Sequence, residues 1–439
     1  MTFPWLTTLI AVPAVGALLT VLVPEGRRAL AKQFAIGVSL LTLVLAVVAV
    51  LQFDIGGDRF QLTEQYAWVQ SFGVYWSLGV DGIGVALIAL TAVATPIVAL
   101  AMWPEAEEEG RDPKVFFALL LALEAMILGS FAAKDVMLFY ILFEAMLIPL
   151  YFMIGMYGGP QRRYASIKFL LYNLFGGLVM LAAVIALYVE SVDAGNPSFL
   201  LTDLVALDIP VDTQRWLFLG FMIAFAIKAP LWPFHTWLPD AAAEATPANA
   251  AYLSGVVDKV GTFGMVALVL PLFPDASREF APVIVVLAVI TIIYGALLAV
   301  GQTDLKRLIA YTSISHFGVI VLGIFALTGE AATGSTFYMV NHGLSTIALF
   351  VVVGFMISRR GSRQVADYGG VQRPAPVLAG TFLVAALSGL ALPPLATFLS
   401  ELLVIVGTFE RYRAAAIVAT LGIVLSALYM LWLYQRTMT

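Results

Sequence analysis

The sequence predicts an all-α, polytopic membrane protein, and three observations carry that prediction. Hydrophobic residues make up 61% of the 439 positions and charged residues only 12%, about half the charge of a soluble domain. The apolar residues gather into thirteen stretches of the length a membrane helix needs, about 20 residues. Several ionisable side chains lie inside those stretches, where lipid alone makes them costly.

The stretches run near 3–23, 34–53, 75–102, 115–133, 135–157, 165–190, 215–238, 248–272, 281–301, 306–328, 335–357, 376–409 and 412–436. The first has no basic residue ahead of its apolar run and carries Arg27 and Arg28 after it, which suits a retained helix rather than a signal peptide. "WPEAEEEGRDPK" (103–114) separates the third stretch from the fourth, and the polar run from Glu190 to Arg215 reads as an extramembrane loop before the seventh. The seventh and twelfth stretches are interrupted by prolines.

Alternating the thirteen stretches across a bilayer sorts the basic residues unevenly. With the N-terminus outside, the cytoplasmic loops hold 15 of the 23, including Arg111, Arg162, Arg163, Lys306, Arg307, Arg359, Arg360, Arg363 and Arg373, and the opposite loops hold 6. Basic residues favour the cytoplasmic side, so the N-terminus is expected outside. Two remain, Lys228 and Lys259, and both fall inside helices.

Shifting the chain by 161 residues lays "PFHTWLPD" (233–240) over "PLATFLSE" (394–401), with Pro, Thr and Leu identical and an acid closing each copy. Paired, proline-interrupted segments point to a transporter built from repeats, with its ion site near the bilayer midplane. Pro230 and Pro233 cannot donate to the carbonyls of Ala226 and Ala229, and Pro393 and Pro394 leave those of Gly389 and Leu390 free. One such proline reads as a simple kink. Two doublets beside ionisable residues read as polar interior, because free carbonyls at membrane depth need protein, water or an ion.

The charges inside the stretches are Glu124, Glu144, Lys228, Asp258, Lys259 and Glu401. Buried ion pairs that only lock helices together are a weak explanation, since an apolar substitute often stabilises as well. Intramembrane ionisable groups usually mark ion or proton paths. All three histidines, His235, His316 and His342, also fall in or beside apolar helices, and imidazole exchanges protons near neutral pH. Their spacing does not match a short zinc motif. A carboxylate about 7 Å from an ammonium interacts by about 2.4 kcal/mol at an effective dielectric near 20. Moving Glu144 relative to Lys228 is therefore enough to switch whether the lysine holds its proton, with Lys259 and the histidines passing protons onward.

Other chemistries are disfavoured. Cysteine is absent, which removes thiolate metal sites and cysteine-ligated clusters. "DGIG" (81–84) has Leu87 where a dinucleotide fingerprint needs Gly or Ala, and no P-loop is present. The net charge of −5 gives no hint of nucleic-acid binding. Energy must come from an ion gradient or a partner.

"LGVDGIG", "FEAMLIPLYFMIG", "KAPLWPFHTWLPDAAAEA", "DKVGTFG", "QTDLKRLIAYTSISHFG", "NHGLS" and "FLSELLV" together resemble the antiporter-like subunits of respiratory complex I, most closely the M type. The resemblance spans nearly the whole chain and implies several expectations. Glu144 and Lys228 would form a modulating pair, Lys259 a central proton carrier and Glu401 the exit-side site on a broken twelfth helix. L and N types usually carry lysine in that last role. His235, His316, His342, Glu124 and Asp258 are relay candidates, although Asp258 lies outside the family pattern.

The implied fold has two inverted five-helix repeats, 113–275 and 276–439, after three leading helices and a polar loop in 1–112, with helices 7 and 12 broken. The family expectation is fourteen helices, so the C-terminus reads as incomplete. The implied activity is proton translocation within a bacterial NADH–quinone oxidoreductase of the cytoplasmic membrane. FMN, iron–sulfur clusters and quinone are expected in partner subunits and no cofactor or metal in this chain. The expected partners are other complex I membrane subunits, especially the L and N types, and lipid. The D-type component of a multisubunit Na⁺/H⁺ antiporter shares every motif named here, and a structural membrane scaffold is a third reading.

Overall fold

The computed structural model describes residues 3–24, 26–105 and 112–439. Arg111, counted above among the cytoplasmic charges, and half of the polar run 103–114 lie outside them. Helix dominates: α1 (Trp5–Val21), α2 (Arg28–Gln52), α3 (Gly82–Glu105), α4 (Pro113–Ala132), α5 (Val136–Ala145), α6 (Leu147–Tyr157), α7 (Arg162–Asp193), α8 (Leu201–Val205), α9 (Val211–Lys228) and α10 (Trp237–Glu244). The chain continues through α11 (Pro247–Tyr252), α12 (Lys259–Gly264), α13 (Leu270–Leu272), α14 (Pro274–Val300), α15 (Leu305–Phe325), α16 (Gly329–Arg360), α17 (Pro376–Gly389), α18 (Ala396–Arg411) and α19 (Arg413–Met438).

Each of the thirteen apolar stretches carries helix. Among the described residues, ten segments are long and apolar enough to cross a membrane, and Trp5–Val21 and Pro376–Gly389 are shorter apolar helices. The chain departs from the all-α expectation at a two-stranded hairpin, β1 (Gln61–Val69) with β2 (Val74–Val80). The strands are antiparallel, with Tyr66 opposite Trp76 and Gln61 opposite Val80. "VYWSLGV" is aromatic and β-branched, which suits a strand, so the third helix begins at Gly82 rather than near residue 75.

Caps set several helix starts. Asp112 accepts from Lys114 N ahead of Pro113, Asp135 caps α5 through Leu138 N, and Asp304 caps α15 through Lys306 N and Arg307 N. A side-chain carboxylate satisfies the first free amides of a helix, and Pro at its first position sacrifices none. The broken segments appear where the prolines predict them. α9 stops at Lys228 and helix resumes only at Phe234, whereas α17 stops at Gly389 and α18 begins at Ala396. The cis bonds Trp232–Pro233 and Pro393–Pro394 lie in these two breaks.

Packing divides the chain into two compact units. The first comprises Met1–Tyr157, Ser166–Lys228 and Phe263–Ser277. Here Tyr75 N donates to Asp135 Oδ2 (2.9 Å), Lys134 N to Ser77 O (2.9 Å) and Leu201 N to Lys134 O (2.9 Å). The hairpin, the α4–α5 link and the segment before α8 therefore share one end of the helices. At the other end, Tyr157 Oη donates to Asp112 O (2.5 Å) and Lys114 Nζ to Val23 O (3.4 Å). Lys32, on α2, is buried and donates to Trp103 O at 2.9 Å.

The second unit comprises Gly158–Ala165, Ala229–Thr262 and Arg278–Thr439. Arg363 joins its loops, pairing with Glu244 (3.0 Å) and Asp304 (2.8 Å) and donating to Ala243 O (2.8 Å). Glu244 also takes Gln161 N (2.8 Å), and Lys306 Nζ reaches Ala245 O (2.7 Å). Val371 N and Gln372 N bond the carbonyls of Thr437 and Met438 at this same end of α16 and α19. Thr328 Oγ1 bonds Gly407 O (3.0 Å) at the opposite end of α16.

Candidate proton-transfer site

In the first unit, Pro149 has no N–H for the carbonyl of Ala145, and α5 gives way to α6 at Met146. Glu144 sits on the last turn before that interruption. Its carboxylate packs so closely against Gly177 of α7 that any β-carbon there would overlap it. Lys228 is the last residue of α9, 1% exposed, with Nζ 4.6 Å from the centroid of the Phe143 ring. Lys228 lies close enough to Glu144 for their charges to act on one another. The structure thus brings together the two residues expected to form a modulating pair. Glu124, fully buried on α4, faces Thr95 of α3 within the same unit.

The second unit holds a longer constellation. Lys259 lies between two π-helical stretches, Leu253–Val257 and Met265–Val269, and such wide turns release main-chain carbonyls. The lysine uses one of them: Nζ donates to Ser254 O at 2.5 Å. Nζ also meets His342 Nδ1 at 2.8 Å and lies 4.8 Å from the Phe317 ring centroid. His342 Nε2 lies 3.2 Å from both Ser313 Oγ and Thr346 Oγ1. With an ammonium donating to Nδ1, the histidine proton belongs on Nε2 and reaches those hydroxyls.

From His342 the row continues through side chains in contact. The His316 ring centroid is 5.4 Å from that of His342 and 5.7 Å from that of Tyr338. Tyr338 Oη donates to Glu401 Oε1. His316 also faces the carbonyl of Gly389, one of those expected to be left free by the proline doublet. Lys259, His342, His316, Tyr338 and Glu401 are all at most 4% exposed. Among the described residues, Glu401 Oε2 and His316 Nε2 have no hydrogen-bond partner. Both residues line a cavity of about 10 Å³ together with Ser315, Gly422 and Ser426, close to the space one water needs.

Besides Glu124, two relay candidates are not members of this row. His235 packs its ring on Tyr294, with centroids 5.2 Å apart. Asp258 is fully buried beside Lys259 and interacts with its charge. Among the described residues no three His, Cys, Asp or Glu side chains gather as metal ligands.

Sequence reasoning missed Tyr338. The available signal was its position four residues before His342, which puts both on one face of α16. A tyrosine in an apolar helix is common enough that this spacing carries little weight without the partner on α18.

The fold has counterparts among known proteins. The model of the NADH:quinone oxidoreductase/Mrp antiporter transmembrane family matches residues 133–426. NADH-quinone oxidoreductase subunit M of Mycobacterium tuberculosis is 52% identical, with 99% of this chain and 85% of that protein aligned. A chain of respiratory complex I from Thermus thermophilus superposes with a TM-score of 0.90 at 32% identity, covering 98% of this chain and 88% of its own. A chain of the Mrp complex from a Dietzia species gives 0.90 at 25% identity, covering all of this chain and 80% of its own.

Proposed function

The chain belongs to the NADH:quinone oxidoreductase/Mrp antiporter transmembrane family, and from that premise we propose that it is the M-type, proton-translocating subunit of a bacterial complex I. Quinone reduction elsewhere in the complex would drive proton transfer through this chain. The observation that carries the reading is the buried row Lys259–His342–His316–Tyr338–Glu401. A scaffold has no need of five polar side chains aligned in an apolar interior.

In this reading Glu144 and Lys228 form the modulating pair, Lys259 carries the proton at the centre, and Glu401 releases it. Glu124, Asp258 and His235 act as secondary relay groups. FMN, iron–sulfur clusters and quinone reside in partner subunits, and the neighbours in the membrane are the L and N types. The chain crosses the cytoplasmic membrane thirteen times from an outside N-terminus. Loops assigned to one side by the thirteen-stretch alternation are hydrogen-bonded to one another in both units, which supports this topology. The two repeats, 113–275 and 276–439, begin after the three leading helices, although 229–262 packs within the second unit.

The Mrp-type reading is favoured by one observation, an equal TM-score of 0.90. The higher identity to subunit M, 52% against 25%, favours complex I. Affinity purification of this chain from its native membrane distinguishes them. Recovery with NADH-oxidising, flavin-containing subunits is the expected result. Recovery with small antiporter subunits and no NADH oxidation would assign it to the second class.

A further inference from the structure

Glu401 is held by an unusual arrangement. α16 and α18 approach so closely that a β-carbon at Gly334 would lie 2.7 Å from Val404 N, and this contact is one turn from Tyr338. The tyrosine is 1% exposed. Its ring rests between His316 (5.7 Å) and His342 (6.1 Å), and its hydroxyl is committed to Glu401 Oε1. Oε2 has no partner among the described residues, yet Glu401 lines the small cavity that His316 also lines.

We propose that Tyr338 is a positioning residue whose hydroxyl anchors Oε1 of Glu401, so that Oε2 is the oxygen that takes up and releases the proton. The inference rests on the reading of Glu401 as a proton site. Tyr338 keeps its own proton throughout: a proton arrives on Oε2, the carboxyl becomes neutral, and the same oxygen gives the proton up. A carboxylate pinned through one oxygen cannot rotate away from its donor, which is how fixed geometry favours transfer.

The experiment uses the whole complex, purified and reconstituted into vesicles, with proton pumping read alongside NADH oxidation by an artificial acceptor as the assembly control. Tyr338→Phe keeps every ring contact and removes only the anchoring hydroxyl. Pumping should fall about tenfold, the size expected from losing one hydrogen bond to a charged group. Tyr338→Gln loses the ring but restores a donor, and should pump faster than the Phe variant. If Tyr338 only fills space, the ranking reverses, with Phe silent and Gln damaged. Wild-type pumping by the Phe variant, or a Gln variant no better than Phe, overturns the proposal. Glu401→Gln measured in parallel separates the two layers. If it pumps fully, the underlying reading of Glu401 fails. If it is inactive while Tyr338→Phe is normal, only the anchoring role fails.

Discussion

Glu401 carries the most discriminating substitution at the scale of single residues. The residue is 4% exposed, and among the described residues its carboxyl is bonded on one oxygen only. If it cycles between charged and neutral forms, Glu401→Gln should assemble normally and pump poorly, since Gln keeps the shape but cannot titrate. Glu401→Lys should retain part of the activity, because lysine also exchanges protons and the resemblance implies lysine in this role in sister subunits. A purely structural Glu401 predicts the opposite ranking, with Lys damaging through an unpaired buried charge. Pumping by both variants in vesicles decides. The charged members of the site were legible in the sequence because charges are rare in apolar stretches. Tyr338 was not, because an aromatic ring there is ordinary packing material until its hydroxyl is seen against Glu401. The pairing of Glu144 with Gly177 was equally hidden, since nothing in a glycine says which carboxylate fills the space beside it.

At the scale of elements, proline was the readable signal. The breaks at 229–233 and 390–395 fall where the doublets remove backbone donors. The π-helical turns around Lys259 left no comparable trace, because a wide turn changes hydrogen-bond register without demanding a special residue type. The hairpin was concealed for another reason: "VYWSLGV" is as apolar as the helix that follows, and composition alone does not separate strand from helix in a short run. Loop linkage makes a prediction of its own. Arg363 ties the end of α10 and the segments before α15 and after α16 to one face, and in the proposed orientation the excess of basic residues would put that face in the cytoplasm. The protein contains no cysteine, so single cysteines at the exposed positions Arg163 and Arg373 can be read without background. An impermeant thiol reagent should label neither in intact cells and both after permeabilisation. Labelling of intact cells would invert the orientation.

For the whole molecule, the notable feature is how its polar groups are distributed between two units. One holds the acid Glu144 and the buried base Lys228. The other holds a row that begins at Lys259 and ends at Glu401. Buried charges generally stabilise a fold less than apolar residues do, so this arrangement is better explained by proton handling than by stability. The central claim is that the pair governs proton transfer, and the measurement that tests it most directly is the proton yield of reconstituted complex carrying Glu144→Ala or Lys228→Ala. Both variants should assemble, oxidise NADH with an artificial acceptor at the wild-type rate, and lose most NADH-driven proton pumping. Assembled variants that pump at the wild-type rate would contradict the account.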